Sequence, residues 1–414
     1  MAASAAASHP LLPWNADFLT ATESALAGTG LLLPCAVGDV SFESALVWLK
    51  TDGENTVAVA HSQDPALANP TISAPLRTGS NSDFTAKVLL RGLESGQTYF
   101  YRAVVDGKRP GPIAHFVTAP PPEQMANVQF AFSGDSRFDY QPFAIMDAIR
   151  EKKPDFFLHL GDTIYADRGG RARQLDQFRQ KYIENRQDAP TQRLLAETSL
   201  LVVWDDHEVE DNYRAENPLA PIGRQAFFDY WPVRRDGSDG ERIYRAARWG
   251  RAAELFLVDT RQYRSRADKT MLGKRQKQWL LDSLVDCAAH FKFICTSVPF
   301  TGGADKWGDF AQERDEIVTF IEQKKIAGVI FLSADVHYAA VARVPGASGL
   351  KEIITGPLAA TFGKVNPGAK RFEFASNQFF NYGLVQVHTE GSRAYVEVEI
   401  LTDKNVSLHK LTIQ

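Results

Sequence analysis

The apolar and polar positions of the first third of the chain alternate in short runs. Strand-like segments such as "SALVWLKT", "NTVAVAHS" and "DFTAKVLL" lie between Leu31 and Thr118 and are separated by Gly, Pro, Asn, Asp and Ser. In "TYFYRAVV", Tyr99 and Tyr101 alternate with Phe100 and Arg102, which predicts one buried and one outer face. The pattern is typical of an antiparallel β-sandwich of immunoglobulin or fibronectin type, and we assign it to residues 29–120.

The pattern changes after "TAPPPEQ", whose three consecutive prolines predict a domain boundary near residues 119–126. Apolar runs such as "NVQFAFS", "DFFLHL", "LLVVW" and "GVIFLSA" then alternate with helical stretches such as "KRQKQWLLDSLVD". This alternation predicts an α/β layered domain over residues 126–414. The tail from Lys351 is again rich in strands, which we expect to complete a second sheet.

Composition limits the functional classes. The 414 residues include 46 Lys plus Arg against 50 Asp plus Glu, a formal net charge of -4. That balance does not predict a general nucleic-acid or membrane-surface binder. Three cysteines, Cys35, Cys287 and Cys295, are too scattered for a disulfide framework or a cysteine-rich zinc site. No apolar run reaches the roughly 18 residues of a membrane span, and the start of the chain does not have the pattern of an intact signal peptide.

Four apolar strands end in acidic residues. The first runs into Asp135 and the second into Asp162, with Tyr165 three residues later. The third is followed by Asp205, Asp206 and His207, and the fourth by Asp335 and His337. Ligands of open α/β sheets bind at the carboxyl ends of strands, so we expect these side chains to converge.

Carboxylates that converge within about 4 to 6 Å cannot all stay ionised without a cation. Oxygen-rich ligands with one imidazole and a phenol suit hard or borderline ions such as Fe(III), Mn, Ca or Zn. A shared carboxylate would set two such ions about 3.5 to 4 Å apart, the arrangement that acts on phosphate esters. The sequence therefore predicts a metal site with two or more ions.

Each motif alone has a simpler explanation. A strand followed by Gly-Asp is usually a turn, and the acidic segment "DDHEVED" could be a solvated loop or the first turn of a helix. His159 lies inside an apolar strand and is more typical of a core histidine than of a ligand. Only the joint occurrence of the four strand ends favours a site.

The segments "FSGDSR", "LHLGDTIYAD", "WDDHEVEDNY" and "LSADVHYAA" resemble the successive metal motifs of the metallophosphatase superfamily, and specifically of the alkaline phosphatase D family. Further segments, "VDTRQYRS", "MLGKRQKQWLLDSL" and "SVPFTGGADKWGDFAQERDEI", are similar to later parts of that family. The resemblance implies a metallophosphatase αββα sandwich after the N-terminal β-sandwich. It covers nearly the whole chain from about Leu31.

The resemblance implies roles for particular residues. By resemblance the first metal is Fe(III), which four ligands would hold. The second metal is Ca, or alternatively Zn or Mn, and it would be held by a carboxylate shared with the first metal and by two further ligands. The first set is Asp135, Asp162, Tyr165 and His337, and the second is Asp162, Asp206 and Asp335. Asp135 stands where the alkaline phosphatase D family usually has Cys, which leaves the identity of the first metal open.

The resemblance also implies a hydrolytic mechanism in which a metal-bound hydroxide attacks phosphorus. His207, beside Asp206 and held by the acidic loop, would protonate the leaving oxygen or stabilise its charge. Arg137 and Arg214 would hold phosphate oxygens, with Asn212 as a further substrate contact; surface salt bridges are the alternative for both arginines.

Several alternatives remain open from the sequence. The leading function is a phosphoesterase acting on a small-molecule monoester or diester, and the alternatives are a phospholipase-D-like or nuclease-like diesterase, or a binding protein with a structural metal. We expect no nucleic-acid scaffold, no membrane span and a monomer. The resemblance implies a periplasmic or secreted protein, and a cytoplasmic location stays open.

Overall fold

The structure is a computed structural model that describes residues 26–235, 239–347, 349–390 and 393–414. Within these ranges it forms three β-sheets with helices on the outer faces of two of them. None of the helices in these ranges has the length and apolar character that a membrane crossing requires.

The strands fall into three groups. The nine-stranded sheet has the order β22 (Ser407–Ile413), β21 (Arg393–Thr402), β20 (Asn381–Glu390), β10 (Val128–Ser133), β11 (Phe156–Leu160), β12 (Ser199–Val203), β1 (Leu31–Gly38), β2 (Ser44–Thr51) and β6 (Thr85–Arg91). The seven-stranded sheet has the order β13 (Arg245–Trp249), β14 (Ala253–Leu257), β15 (Phe291–Cys295), β16 (Val329–Ser333), β18 (Lys351–Ile354), β17 (Ala339–Arg343) and β19 (Phe372–Ser376). The third sheet contains β4 (Thr71–Ile72), β3 (Thr56–Ser62), β7 (Thr98–Val105) and β8 (Arg109–Pro110), with β5 (Leu76–Arg77) on β3 and β9 (Ala114–Val117) on β7.

The described α-helices are α1 (Ala144–Glu151), α2 (Leu175–Arg186), α3 (Ala189–Glu197), α4 (Ala220–Tyr230), α5 (Gly273–Asp286) and α6 (Ala311–Gln323). Short 3-10 turns cover Ser80–Ser82, Phe138–Tyr140 and Trp307–Phe310.

The N-terminal β-sandwich packs β1, β2 and β6 against the third sheet. Its core contains Val47, Val57, Tyr101 and Phe116, each fully buried. The alternation predicted for β7 is confirmed, since Tyr99 and Tyr101 are buried whereas Phe100 and Arg102 are half-buried. One parallel pair, Gly38 with Leu200, joins β1 to β12 and continues the sandwich sheet into the larger domain.

The larger domain is a four-layer αββα sandwich, as the resemblance implies. The nine-stranded and seven-stranded sheets face each other across a core that includes Phe130, Leu158 and Phe293. Helices α1 to α4 cover the outer face of β10, β11 and β12, where Phe157 and Phe178 are buried. Helices α5 and α6 cover the outer face of the seven-stranded sheet.

The direction of the strands positions the site. β10, β11 and β12 run parallel in one sheet, and β14, β15 and β16 run parallel in the other. Parallel strands place their carboxyl ends on one edge of a sheet, so the loops after β10, β11, β12 and β16 meet at one end of the two-sheet sandwich.

The prediction for the strand-rich tail is wrong in part. β18 and β19 join the second sheet, but β20, β21 and β22 extend the first sheet through the antiparallel pairing of β20 with β10. In β21, Val396, Val398 and Ile400 are buried whereas Glu397 and Glu399 are half-buried. A strand with one apolar and one polar face suits a part of the sheet with one side open to water.

Helix α4 begins at Ala220, and Pro221 lies in its first turn. Proline is tolerated there because the first amide groups of a helix have no partner within it.

Candidate metal centre

The four strand ends predicted to converge do meet. Asp135 follows β10, Asp162 follows β11, Asp205 and Asp206 follow β12, and Asp335 follows β16. Asp135, Asp162 and Asp335 have φ values of 69°, 54° and 68°. A left-handed backbone conformation at residues other than glycine costs energy and is found most often at functional sites. The surrounding structure must therefore offset the backbone strain at these three aspartates.

The first cluster contains Asp135, Asp162, Tyr165 and His337. Ligand atoms of Asp135, Asp162 and His337 lie within 4.8 Å of one another. The Tyr165 hydroxyl is 3.2 Å from His337 Nε2, which is 3.5 Å from Asp135 Oδ1. The other ring nitrogen of His337, Nδ1, is 2.5 Å from the carbonyl oxygen of Thr361. A backbone acceptor for Nδ1–H leaves Nε2 facing the cluster, the usual arrangement for a metal-ligating histidine.

These four residues fit a hard metal ion. Asp135 Oδ2 is buried with no hydrogen-bond partner, an expensive state for a carboxylate oxygen unless a cation reaches it. Burial, together with the charges of Asp206, Asp205 and Asp135, raises the pKa of Asp162 well above its usual value. Three oxygen donors and one imidazole are suitable ligands for Fe(III) and for borderline ions.

Asp162 also belongs to a second group. Its ligand atoms lie within 4.8 Å of those of Asp206 and His207, and its Oδ1 accepts the backbone N–H of His207 at 3.2 Å. Asp162 therefore belongs to two groups of possible metal ligands, and its role as a bridge between two ions remains a prediction.

The remaining carboxylates are neutralised in part by two cations that the sequence analysis did not single out. The buried Arg261 donates to Asp205 at 2.6 and 3.0 Å. The same guanidinium lies 3.4 Å from Asp335 and 3.5 Å from Asp206. The ammonium of Lys306 contacts both carboxylate oxygens of Asp335.

Burial and these contacts together shift the pKa values of Asp206 and Asp335. Although burial opposes it, the charges of Arg261, His207 and Lys306 lower the pKa of Asp206. Burial raises the pKa of Asp335 to about 7 despite the opposing charge of Lys306. Asp206 is thus held as an anion. Asp206 belongs to one group of possible ligands with Asp162 and His207, and to another with Asp205 and Asp335. The predicted second set of Asp162, Asp206 and Asp335 is thus divided between these two groups and remains a prediction.

His207 is oriented by a residue of another motif. The sequence analysis expected the surrounding acidic loop to hold it, but His207 Nδ1 lies 2.8 Å from Asp167 Oδ1, in the loop after β11. The His207 ring stacks on Tyr165 with centroids 4.2 Å apart. Burial opposes protonation, yet the hydrogen bond to Asp167 and the charge of Asp206 raise the pKa of His207. The ring therefore carries its proton more readily than a free histidine does.

Glu208 supports the two loops from behind. This fully buried carboxylate accepts the backbone N–H of Asp162 at 3.1 Å, of Thr163 at 2.7 Å and of Asp205 at 2.8 Å, and the Thr163 hydroxyl at 2.6 Å. Burial raises its pKa to about 7. Glu208 thus fixes the loops after β11 and β12 relative to each other.

The three residues predicted to contact substrate are half-buried or exposed. Arg137 donates to Asp139 at 2.6 and 2.8 Å, and its guanidinium lies over Tyr140 and Tyr165. Arg214 is half-buried, and its Nε has no hydrogen-bond partner. Asn212 is exposed and its backbone N–H donates to Asp206 at 2.6 Å. The roles of these three residues remain predictions.

His159 stays outside the cluster. It is buried, its Nε2 lies 3.3 Å from the Ser136 hydroxyl, and burial lowers its pKa to about 3. A neutral core histidine is what the apolar strand around it predicts.

The two facing sheets, their outer helices and the carboxylate, tyrosine and histidine cluster at the strand ends define a metallophosphatase fold. A family model described as PhoD-like phosphatase matches residues 130–406, and one described as PhoD-like phosphatase, N-terminal domain matches residues 20–120. The chain belongs to the PhoD-like phosphatase family.

The similarity extends to a curated protein and to solved structures. Alkaline phosphatase D of Bacillus subtilis (strain 168) is 26% identical over 304 residues, which cover 59% of this chain and 52% of that protein. The match thus spans about half the length of that relative. The solved structure of PhoD superposes with a TM-score of 0.81 at 19% identity, over 94% of both chains. Purple acid phosphatase PPD1 from yellow lupin (Lupinus luteus) gives a TM-score of 0.69 at 12% identity, over 92% of this chain and 74% of that one. At these identities, the two superpositions establish the fold.

Proposed function

We propose that this protein is a metal-dependent phosphoesterase that hydrolyses small-molecule phosphate monoesters, diesters or both. One observation carries the proposal: Asp162 is shared by two groups of potential ligands at the strand ends. Membership of the PhoD-like phosphatase family supports the same class of reaction.

The proposed ligand sets are those that the resemblance implies. The group of Asp135, Asp162 and His337 supports the first set, and Asp206, which groups with Asp162 and separately with Asp335, supports the second. Asp135, Asp162, Tyr165 and His337 would hold the first ion, and we propose Fe(III) because a phenol is a hard ligand with little use to zinc. The second ion, for which we propose calcium, or alternatively zinc or manganese, would take Asp162, Asp206 and Asp335. Such ions supply Lewis acidity and lower the pKa of a water molecule from about 15.7 toward 7.

The protein's own residues complete the reaction. His207, whose Nδ1 lies 2.8 Å from Asp167, is positioned by that contact to present Nε2 as the proton donor to the leaving oxygen. Arg137 and Arg214 would hold non-bridging phosphate oxygens, and Asn212 would be a further substrate contact. The Nε atom of Arg214 has no hydrogen-bond partner. For Arg137 this requires its guanidinium to exchange Asp139 for phosphate.

The test is release of p-nitrophenol from p-nitrophenyl phosphate and from its bis-ester. We expect release from one or both esters, loss of release with a chelator, and recovery when metal is returned. The ratio of the two rates decides between monoesterase and diesterase. Metal binding without hydrolysis of either ester would instead indicate a binding protein with a structural metal.

A periplasmic or secreted location stays a prediction of the resemblance.

A further inference from the structure

An open pocket lies beside the second carboxylate group. It encloses about 260 Å³ and is lined by Gly302, Gly303, Ala304, Lys306, Asp335, Val336, Tyr338, Lys364 and Arg371. This volume is below the roughly 300–1,000 Å³ of pockets that enclose drug-sized ligands, so it suits a small group. Asp335 belongs both to the pocket and to the carboxylate cluster, so the pocket adjoins the candidate metal centre.

The pocket is basic. Three of its side chains are cationic and one is acidic, and the single carboxylate, that of Asp335, already contacts Lys306 and Arg261. Lys364 and Arg371 are exposed. Across the described ranges, the structure records no carboxylate within ion-pair distance of either of them, whereas neighbouring cations such as Arg343 and Lys351 both pair with Glu373. Arg371 Nη1 donates to the carbonyl oxygen of Thr301 at 3.4 Å. This partner is neutral, so the charges of Lys364 and Arg371 remain available to an anion from solution.

The pocket segment from Gly302 to Lys306 is held in place by backbone contacts. Gly302 N donates to the carbonyl of Pro299 at 3.0 Å, and Lys306 N donates to the carbonyl of Gly303 at 3.2 Å. A Cβ atom at Gly308 would lie 2.7 Å from the Gly302 carbonyl and 2.6 Å from that of Gly303. The loop thus packs against a glycine that has no room for a side chain, and Lys306 projects from a fixed turn.

We propose that this pocket binds a second anionic group of the substrate, a phosphate or a carboxylate, while the reacting phosphate occupies the metal centre. The inference rests on the proposed function for the identity of the first group and names the class of substrate: a phosphate ester with a further negative charge a short linker away. Lys364 and Arg371 attract that charge, and Tyr338, at the pocket wall, contributes a further polar side chain.

Binding of non-hydrolysable phosphonates to the purified full chain tests the proposal. Isothermal titration compares propylphosphonate, which carries one anionic group, with 3-phosphonopropionate and 1,2-ethylenediphosphonate, which carry a second one. We expect the two compounds with a second anionic group to bind about tenfold more tightly than propylphosphonate. Each partly exposed charge pair contributes up to a factor of about five to the affinity. The preference should fall as salt is raised. Whichever compound binds more tightly identifies the second group as carboxylate or phosphate.

The double variant Lys364→Met/Arg371→Gln should bring the affinity ratio close to one. The control Lys274→Met/Arg275→Gln removes the same two charges from an exposed part of α5 and should keep the ratio of the unmodified chain. Equal affinities in the unmodified chain, a ratio that survives in the pocket variant, or absence of binding by all three compounds would overturn the proposal. Failure of the proposed function is recognised separately, as absence of p-nitrophenol release, because the titration does not depend on turnover.

Discussion

Replacement of Asp167 by Asn tests how the protein positions its candidate proton donor. Asp167 Oδ1 lies 2.8 Å from His207 Nδ1, and the two side chains are only 9% and 11% exposed. Asn is nearly the same size and can still accept one hydrogen bond, but it removes the charge that favours protonated His207. The contact is a charge-assisted hydrogen bond in a largely buried position, which contributes about 1.5–3 kcal/mol.

We expect Asp167→Asn to lower kcat by roughly 10- to 100-fold, the rate equivalent of that energy. The loss should be larger for an alkyl phosphate, whose leaving oxygen needs a proton, than for p-nitrophenyl phosphate, whose leaving group departs as a stable anion. Steady-state kinetics on the two esters gives both numbers. Metal content, measured on the same preparation, should be unchanged.

Asp211→Asn is the matched control. Asp211 Oδ1 is 3.9 Å from His207 Nε2 and its side chain is 60% exposed, so the interaction is screened and the expected effect on kcat is less than about fivefold. Equal losses on the two esters in Asp167→Asn, or a larger loss in Asp211→Asn, would refute the argument that Asp167 positions a general acid.

Three further predictions follow from the site. His207→Ala should keep its metal content and lose about 10² to 10⁴ in kcat, the range for a positioned acid or base, as measured by metal analysis and kinetics. If Fe(III) is bound, the protein should show a visible phenolate-to-iron absorption band that Tyr165→Phe removes; a band that persists in an iron-loaded variant would exclude Tyr165 as a ligand. Arg261→Met leaves the buried Asp205 without its cation and should lower the free energy of unfolding by about 3–5 kcal/mol in urea titrations, against less than about 1 kcal/mol for the partly exposed control Arg150→Met.

Much of the fold was predictable because its signals are local. The alternating burial in β7 and the largely apolar character of β10, β11 and β12 can be recognised from consecutive residues. The convergence of Asp135, Asp162, Asp206 and Asp335 followed from parallel strand direction, which brings carboxyl ends to one edge. Pairing partners are not local, and for this reason the addition of β20 to β10 was missed.

The residues that support the site could not be predicted from the sequence, for a similar reason. Arg261 is 56 positions from Asp205, and Lys306 is 29 positions from Asp335. Arg261 lies in "VDTRQYRS" just after β14, and Lys306 lies in "SVPFTGGADKWGDFAQERDEI". Both segments carry the family resemblance, but neither pattern indicates which acidic strand end the cation contacts. Glu208 was visible inside "DDHEVED", but its burial beneath two loops, rather than exposure beside His207, depends on how those loops fold back.

The central claim is that Asp162 serves two metal ions in one phosphoesterase site, and the most direct test is the metal content of purified Asp162→Asn beside the unmodified chain. Inductively coupled plasma mass spectrometry should find both ions reduced in the variant, together with loss of p-nitrophenol release. Asp147→Asn, which alters only a surface ion pair with Arg150 and Arg193, should keep the full metal content. Unchanged metal stoichiometry in Asp162→Asn would contradict the account, because a carboxylate shared by two ions cannot be removed without weakening both.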